Sequence, residues 1–295
     1  MKVPDARSEK IDSRPDRQTA RPASLAGRLA ENAARNFEQW FHALAHPPRA
    51  SCARPSAFAR AAILATLVVI VASMFLIDAT ASEWARHEPN WFRGIFERIT
   101  DFGLSGWFLF PLGFFLLVLA ALISPQSTRL TQGVLVALAA RCGFVSLAIG
   151  VPGLFVTIVK RVIGRARPYV GGHDDPFSYE PFVWRPEYAS LPSGHATTAV
   201  AAAIAIGAIW PRSRILMWLY AATIMISRVA VLAHHLSDVI AGALVAAIGA
   251  YLVRRWFAAR RLVFSPKDLR ASAAPSVPRI AAALRAAIAM VGLKD

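Results

Sequence analysis

The chain has 295 residues, of which 56% are hydrophobic and only 17% are charged. Because soluble proteins carry about 25% charged residues on average, this chain has too few polar side chains to cover a soluble surface. The same composition excludes disorder over most of the chain, and the presence of only two cysteines excludes a disulfide-based scaffold. These features predict an integral membrane protein.

The net charge of +15 is concentrated near the two ends of the chain. Of the 33 Lys and Arg residues, 20 lie in residues 1–60 and 254–295. Basic segments that flank apolar spans are typical of the cytoplasmic side of a membrane, where they face anionic lipids. We therefore expect membrane lipids as partners and no nucleic acid, although the same charge on a soluble protein would indicate nucleic-acid binding.

Long apolar runs predict six transmembrane helices. In chain order, the predicted spans cover about residues 57–78, 105–123, 141–163, 195–211, 213–234 and 236–257. Six spans place both termini on one side of the membrane, and the basic tails assign that side to the cytoplasm. The predicted fold class is an all-α, polytopic membrane helix bundle.

This arrangement divides the chain into a basic tail, a membrane domain and a second basic tail, at residues 1–56, 57–257 and 258–295. Residues 1–23 are polar and lack periodicity, so we expect them to be disordered. Apolar residues recur at helical spacing over residues 25–44 and again from Ile280 to Val291. These two predicted helices either lie on the inner leaflet or pack against the cytoplasmic face of the protein itself.

Positive charge at the predicted outer end of the third span breaks this pattern. Lys160 and Arg167 lie there together with Arg161 and Arg165. Charge on this side is unfavourable and calls for a counter-charge, of which an anionic ligand is the simplest source. If the helix continues to Pro168, Lys160 and Arg167 are two turns apart on nearly one face, which suits a phosphoryl group. The alternative is that both side chains snorkel to the interface.

The turn before the fourth span has the features of an anion-binding site. Pro192, Ser193 and Gly194 precede a helix predicted to begin at about His195. Backbone N–H groups at a helix N-terminus bind anions, Ser193 adds a hydroxyl donor, and Gly194 lets the backbone approach a ligand closely. The alternative is an ordinary N-cap beside an interfacial histidine.

The end of the fifth span and the start of the sixth carry Ser227, Arg228, His234 and Asp238. Because His234 and Asp238 are four residues apart, a helix would place the carboxylate beneath the imidazole. Such a carboxylate fixes the tautomer of the histidine and leaves its other nitrogen free to attack, as in Ser-His-Asp triads. Arg228 adds a phosphate contact, and the adjacent His235 is expected to take no part. The alternative is a structural cap or an interface pair.

Together the three clusters read K-x6-R-P, P-S-G-H and S-R-x5-H-x3-D, in this order and on one predicted side of the membrane. They resemble, without departure, the tripartite signature of the type 2 phosphatidic acid phosphatase (PAP2) superfamily, over about residues 100–257. The resemblance implies a six-helix membrane bundle with the core shared by acid phosphatases and haloperoxidases, and a site at the outer leaflet. It is specific for the reaction and much less so for the substrate.

The resemblance also implies a role for each matching residue. His234 resembles the nucleophile that forms a phosphohistidine, Asp238 the carboxylate that orients it, and His195 the general acid. The residues that correspond to the phosphate clamp are Lys160, Arg167, Ser193, the Gly194 amide and Arg228. Such donors stabilise the charge that a phosphoryl transition state spreads over three oxygens. The family needs no metal, so no metal or other cofactor is expected. A neutral His234 and a protonated His195 predict a bell-shaped pH profile.

Two charged residues near the span ends, Asp78 and Arg141, are expected to need no role in the reaction. Residues 169–191 form an external loop rich in aromatic residues, which suits the membrane interface and a part in selecting the lipid head group. Its His-Asp-Asp run at 173–175 lacks the spacing of metal ligands, so solvation is the preferred interpretation. Asp78 ends the first span, and Arg141 is expected to snorkel.

These inferences predict an enzyme of the bacterial inner membrane that removes the terminal phosphate of a lipid on the periplasmic side. Undecaprenyl diphosphate is the favoured substrate, because a polyprenyl tail requires only an apolar lateral entrance. Phosphatidic acid, phosphatidylglycerol phosphate and lipid A phosphates are alternative substrates, and a lipid phosphotransferase is an alternative reaction. A non-enzymatic binder or transporter of anionic lipids is disfavoured by the intact His195 and Asp238. The sequence gives no prediction of the oligomeric state.

Overall fold

The computed structural model describes residues 24–52, 54–172 and 174–292. The segment predicted to be disordered, residues 1–23, and His173 of the external loop lie outside the described residues. Over the described ranges the regular structure is helical, and β pairing is limited to two isolated bridges. The predicted all-α class is therefore confirmed.

Most helices follow one another along the chain with short connections, and longer segments join α1 to α2, α6 to α7 and α9 to α10. The α-helices are α1 (Leu25–Ala45), α2 (Ala57–Leu76), α3 (Asp78–His87), α4 (Asn90–Thr100), α5 (Gly106–Leu122), α6 (Arg129–Ile163), α7 (Gly194–Ile209), α8 (Arg214–Ala230), α9 (Leu236–Ala259) and α10 (Val277–Val291). Helices α3 and α4 thus occupy most of the segment between the first two predicted spans.

Among the described residues, four helical segments are long and apolar enough to cross a membrane. They are α2, the continuous unit of α4 and α5 over Asn90–Leu122, α6 and α9. Helix α7 is a shorter apolar helix of 16 residues, and α8 has 17. The chain is an integral membrane protein built as a helix bundle, whereas the count of six spans stays a prediction.

Helix α7 lies at the centre of the bundle, in contact with α6, α8 and α9. Twelve of its 16 residues are buried, among them the alanines from Ala199 to Ala203. Small side chains let helices approach closely, which explains why this helix is rich in alanine. A similar contact joins α9 to α6, where Gly249 packs against the ring of Pro152. The four helices α6–α9 therefore form a tight core.

Helix α6 begins at Arg129, well before the start predicted at residue 141. Thr128 caps the helix by accepting a hydrogen bond from the N–H of Thr131 (3.2 Å). Leu135 and Leu138 of this first part are buried in a cluster with α5 and α10. The predicted start was wrong because the helix gains its first turns by packing against neighbouring helices.

Arg141 does not snorkel to the membrane surface, contrary to expectation. Its side chain is buried and donates to the carbonyls of Ser272 (3.0 Å) and Ala273 (2.9 Å) in the segment before α10. The guanidinium therefore finds its partners inside the protein and ties the C-terminal tail to the middle of α6.

The two predicted tail helices are present as α1 and α10, and both pack on the protein itself. Helix α1 contacts α5, and α10 contacts α6. Asn36 donates from its side-chain amide to the carbonyls of Ala120 and Ile123 (both 2.8 Å), and Asn32 donates to Ala121 (3.1 Å). The last carbonyls of a helix lack partners within it, so α1 caps α5 from the side. The described structure thus favours the second of the two alternatives, packing on the protein's own surface.

Candidate active site

The first sequence cluster is divided between a helix and a loop. Helix α6 ends before Gly164, which adopts a left-handed conformation (φ +64°) and packs directly against the carbonyl of Glu180. A side chain at this position would collide with that carbonyl. Lys160 therefore lies in the last turn of α6, and Arg167 lies beyond the helix. The prediction that one helical face carries both was wrong, because Gly164 rather than Pro168 ends the helix.

The second cluster forms the start of α7. Ser193 is the N-cap, and its hydroxyl accepts a hydrogen bond from the N–H at the third helical position (3.5 Å), so the capping alternative describes part of its role. Gly194 is the first residue of the helix and His195 the second. Thr197 donates from its hydroxyl to the carbonyl of Gly242 (3.0 Å), which joins this turn to α9.

The third cluster places His234 in the short loop between α8 and α9. Arg228 lies in the last turn of α8, and its carbonyl accepts a hydrogen bond from the backbone N–H of His234 (3.2 Å). His235 is the N-cap of α9, and its backbone N–H donates to Oδ2 of Asp238 (3.0 Å). His234 and Asp238 therefore do not share a helix, in contrast to the arrangement that their spacing predicted.

The link between His234 and Asp238 runs through a serine that sequence reasoning missed. Nδ1 of His234 lies 3.9 Å from Oδ2 of Asp238, which is too far for a direct hydrogen bond. Ser190 donates from its hydroxyl to the same Oδ2 (2.5 Å), and this hydroxyl lies 3.5 Å from Nδ1. All three side chains are buried. The serine hydroxyl therefore bridges the imidazole and the carboxylate.

The other oxygen of Asp238 is held by Arg165, for which the sequence predicted no specific partner. Nη1 of Arg165 lies 2.5 Å from Oδ1 of Asp238, and Nη2 lies 2.8 Å from Oδ2 of Asp78. All three side chains have zero solvent exposure. The sequence assigned Asp78 no role, but α3 places it in direct contact with the arginine that holds Asp238.

Two arginines of the motifs, the buried Arg228 and the half-buried Arg167, keep N–H donors that no described group accepts. Nε of Arg167 and Nε of Arg228 are both inaccessible and lack a hydrogen-bond partner in the described part of the chain. Arg228 donates from Nη1 to the hydroxyl of Thr100 (2.6 Å), so α4 orients its guanidinium. His195 lies within electrostatic range of Arg228, Arg167 and Lys160. The structure thus gathers the predicted cations around the predicted general acid.

Comparisons with known proteins identify the family of the chain. Residues 141–262 match the profile of the PAP2 superfamily. The lipid A 1-phosphatase of Rhizobium johnstonii is 32% identical over 185 residues, which cover 62% of this chain and 74% of the relative. The chain belongs to the PAP2 superfamily. It is a membrane lipid phosphatase, as the resemblance implied.

A second relative and one solved structure complete the comparison. The lipid A 1-phosphatase of Rhizobium etli is also 32% identical over 185 residues, which cover 62% of this chain and 78% of the relative. The crystal structure of a PAP2-type phosphatidylglycerolphosphate phosphatase from Bacillus subtilis aligns at 20% identity with a TM-score of 0.44. This alignment covers 66% of this chain and 93% of the other.

The electrostatic surroundings of this PAP2 phosphatase keep His234 neutral. Burial lowers the pKa of His234 well below its ordinary value, and the charges of Arg228, Arg167 and His195 lower it further. A neutral imidazole keeps a lone pair at one nitrogen, so His234 is in the protonation state that a nucleophile requires.

A glycine in the turn before α5 touches the second histidine of the site. A Cβ atom at Gly103 would lie 2.8 Å from Cδ2 of His195 and 2.8 Å from Cγ2 of Ile224. Only a residue without a side chain fits there, because real Cβ contacts are longer. Gly103 therefore sets one wall of the space around His195, and no sequence motif indicated it.

An apolar cavity of about 440 Å³ lies between α3, α8 and α9, next to the motif residues in sequence. Trp84, Trp218, Met225, Val229 and Val239 are among its lining residues. Val229 follows Arg228, and Val239 follows Asp238. Within the described ranges, no group of three or more His, Cys, Asp or Glu side chains is arranged to hold a metal ion.

Proposed function

We propose that this phosphatase removes the 1-phosphate from lipid A through a covalent phosphohistidine at His234. The observation that supports the mechanism is a buried, neutral His234 whose Nδ1 side faces Ser190 and Asp238, beside arginines with free N–H donors. The support for the substrate is the name of the relatives, both lipid A 1-phosphatases at 32% identity. This places lipid A ahead of undecaprenyl diphosphate, the substrate favoured by the sequence.

In the first step, Nε2 of His234 attacks the phosphorus atom, and the bond from phosphorus to the sugar oxygen breaks. His195 donates its proton to the leaving oxygen. Two negative charges on the bound phosphate favour the protonated form of His195 before this transfer. The proton on Nδ1 of His234 stays in place, and Asp238 stabilises the positive charge that the ring acquires.

In the second step, a water molecule attacks the phosphohistidine. The neutral His195 now accepts a proton from the water, and the P–N bond breaks and returns its electron pair to Nε2. Inorganic phosphate leaves, and both histidines regain their starting protonation states. Transfer to a lipid hydroxyl instead of water would follow the same course, so dependence of phosphate release on an acceptor distinguishes the transferase alternative.

The phosphate clamp in this proposal comprises the predicted donors Lys160, Arg167, Ser193, the Gly194 amide and Arg228. Arg167 and Arg228 contribute the unpartnered Nε–H groups, which suit the equatorial oxygens of the transition state. The Ser193 hydroxyl also caps α7, so its proton remains available for the phosphate while its lone pair accepts from the helix. The apolar cavity beside Val229 and Val239 suits the acyl chains.

The proposed location is the bacterial inner membrane, with the site on the periplasmic side and both termini in the cytoplasm. Lys160 lies near the C-terminal end of α6, whereas α10 packs on the first part of the same helix, around Leu135 and Leu138. The basic tails and the site thus lie toward opposite ends of α6. A reporter fused after Asp295 is expected to give a cytoplasmic signal, and a periplasmic signal would overturn the orientation.

The decisive experiment measures phosphate release by the purified protein in detergent. Lipid A, undecaprenyl diphosphate, phosphatidic acid and phosphatidylglycerol phosphate are compared in parallel, with EDTA throughout. We expect fastest release from the 1-position of lipid A and none from His234→Ala, whereas His87→Ala, an exposed histidine of α3, retains full activity. Faster release from another of the four lipids would reassign the substrate. Full activity of His234→Ala would refute the mechanism.

A further inference from the structure

A closed network of buried charges lies behind Asp238, on the side away from His234. Arg165 joins two carboxylates, with Nη1 at 2.5 Å from Asp238 and Nη2 at 2.8 Å from Asp78. None of the three side chains is exposed. Asp78 is the first residue of α3 and lies outside residues 141–262, so it is not part of the segment that matches the family.

Ser237 of α9 joins Arg165 to Asp78. Its hydroxyl accepts a hydrogen bond from Nη1 of Arg165 (2.7 Å) and donates one to Oδ2 of Asp78 (2.5 Å). Its backbone N–H donates to Oδ1 of Asp78 (2.9 Å). Arg165 also donates from Nε to the carbonyl of Pro176 (2.9 Å). Both oxygens of Asp78 are therefore satisfied, and the arginine is fixed in one orientation.

The network holds one more negative than positive charge. Asp78 and Asp238 share the single guanidinium of Arg165, and burying charges is costly unless they are fully compensated. An arginine that paired with Asp238 alone would cancel its charge. Because Arg165 is shared, its positive charge does not fully offset the charge of Asp238, and the Ser190 hydroxyl links this carboxylate to Nδ1 of His234. The positive charge that the His234 ring acquires on phosphorylation balances this extra negative charge.

We propose that Asp78, acting through Arg165 and Ser237, is a positioning residue that fixes the orientation of Arg165 and thereby holds the carboxylate of Asp238 directed at His234. This inference rests on the proposed phosphohistidine mechanism. Asp78 touches neither the substrate nor the reacting nitrogen. It determines how strongly Asp238 holds the proton on Nδ1, and therefore which nitrogen of His234 carries the lone pair.

The first test is Asp78→Asn, with the lipid that the wild-type enzyme hydrolyses best. We expect kcat to fall about 10- to 100-fold, the range typical of partners that orient an active-site group, with little change in KM because the phosphate clamp is untouched. Glu83→Gln is the matched control. It removes the same charge from the same helix at an exposed position, and its kcat is expected to match the wild type.

The second readout is the tautomer of His234, measured from the nitrogen shifts of ¹⁵N-histidine protein and assigned with His234→Ala. The wild type is expected to carry the proton on Nδ1 only, and Asp78→Asn a mixture of the two tautomers. This measurement needs no substrate, so it tests the inference even if the proposed reaction fails. An unchanged tautomer, or an unchanged kcat in folded Asp78→Asn, overturns the proposal.

A milder variant covers the case in which Asp78→Asn does not fold. Ser237→Ala removes the hydroxyl between Arg165 and Asp78 without changing any charge. We expect kcat to fall about 3- to 10-fold at unchanged KM, together with a partial shift of the His234 tautomer. Wild-type kcat and a wild-type tautomer in this variant would show that the network only anchors α3.

Discussion

The backbone N–H of Ser193 donates a hydrogen bond of 3.0 Å to the backbone carbonyl of Asp238. This bond joins the turn that carries His195 to the turn that carries the orienting carboxylate. The main chain therefore fixes the distance between the second and third motifs. The close approach depends on Gly242 of α9, because a Cβ atom there would collide with the carbonyl of Ser193.

Gly242→Ala is expected to separate the two turns. The new methyl group lies too close to the carbonyl of Ser193 and 3.1 Å from the hydroxyl of Thr197, and both are held by other hydrogen bonds. We expect kcat to fall at least about 10-fold and the melting temperature in detergent to decrease. Gly133→Ala, where nothing lies within 4 Å, is the control and should leave both quantities unchanged or slightly raised. A wild-type kcat and melting temperature in Gly242→Ala would show that activity and stability do not depend on this close contact between the two turns.

Ser190→Ala is expected to break the bridge between His234 and Asp238. Without the hydroxyl, Nδ1 and Oδ2 are left 3.9 Å apart with no atom between them. We expect kcat to fall about 10- to 150-fold with KM unchanged, because the lost hydrogen bond to a charged group contributes roughly 1.5–3 kcal/mol. Steady-state kinetics of this variant would check the result beside the control Ser213→Ala, which lies at the end of α8 opposite Arg228. An equal kcat in both variants would show that the hydroxyl is not part of the catalytic path.

Gly103→Ala tests the placement of His195. The added methyl group meets Cδ2 of the imidazole at 2.8 Å, so the ring must move. If His195 is the general acid, the loss of kcat should be large for lipid A and small for an aryl phosphate, whose leaving group needs no proton. Gly94→Ala, with open space around it, is the control. Equal losses for both substrates would argue for a general distortion of the site.

The lowered pKa of His234 predicts a specific pH dependence of stability. Burial and neighbouring cations disfavour the imidazolium form in the folded protein, whereas the unfolded chain binds a proton at an ordinary histidine pKa of about 6.5. The unfolded state therefore binds more protons below this pH, so stability falls as the pH decreases through about 6.5. In His234→Ala, the melting temperature should fall less between pH 7.5 and 5.5. Parallel curves for wild type and variant would contradict the assignment.

The hydrogen bonds with which α1 caps the end of α5 are expected to contribute to stability but not to the reaction. Asn36→Leu removes two hydrogen bonds of 2.8 Å to the carbonyls of Ala120 and Ile123. Leaving buried carbonyls without partners costs about 1–3 kcal/mol, so the melting temperature should decrease. The phosphate-release rate of the folded variant should stay at the wild-type value, because these contacts lie at the far end of the bundle from His234. A selective loss of kcat would indicate coupling between the tail and the site.

Several features of this protein follow from local sequence. Apolar runs predict membrane helices because each helix satisfies its own backbone hydrogen bonds, so composition over some 20 residues is enough. The three motifs could also be recognised from the sequence alone, because each is short and lies at a helix end. Their expected proximity agrees with the described structure, in which His195 lies within range of Lys160, Arg167 and Arg228.

Spacing alone failed where a neighbouring segment decides the local conformation. Lys160 and Arg167 were expected on one helix, but Gly164 ends it because the carbonyl of Glu180 packs there. His234 and Asp238 were expected to pair within a helix, but α9 begins after His234. In both cases the spacing of the residues along the chain was known, but the segment that packs against them was not.

By itself, the sequence determined the membrane helices, the family signature and the identity of the candidate catalytic histidines, since all of these depend on residues close together in the chain. Only the tertiary structure decided how those residues are supported. Asp78 meets Ser237 across 159 positions and Ser190 meets Asp238 across 48. No periodic pattern in the sequence indicates such contacts. They form only when segments distant in sequence pack side by side and exclude water from the charges between them.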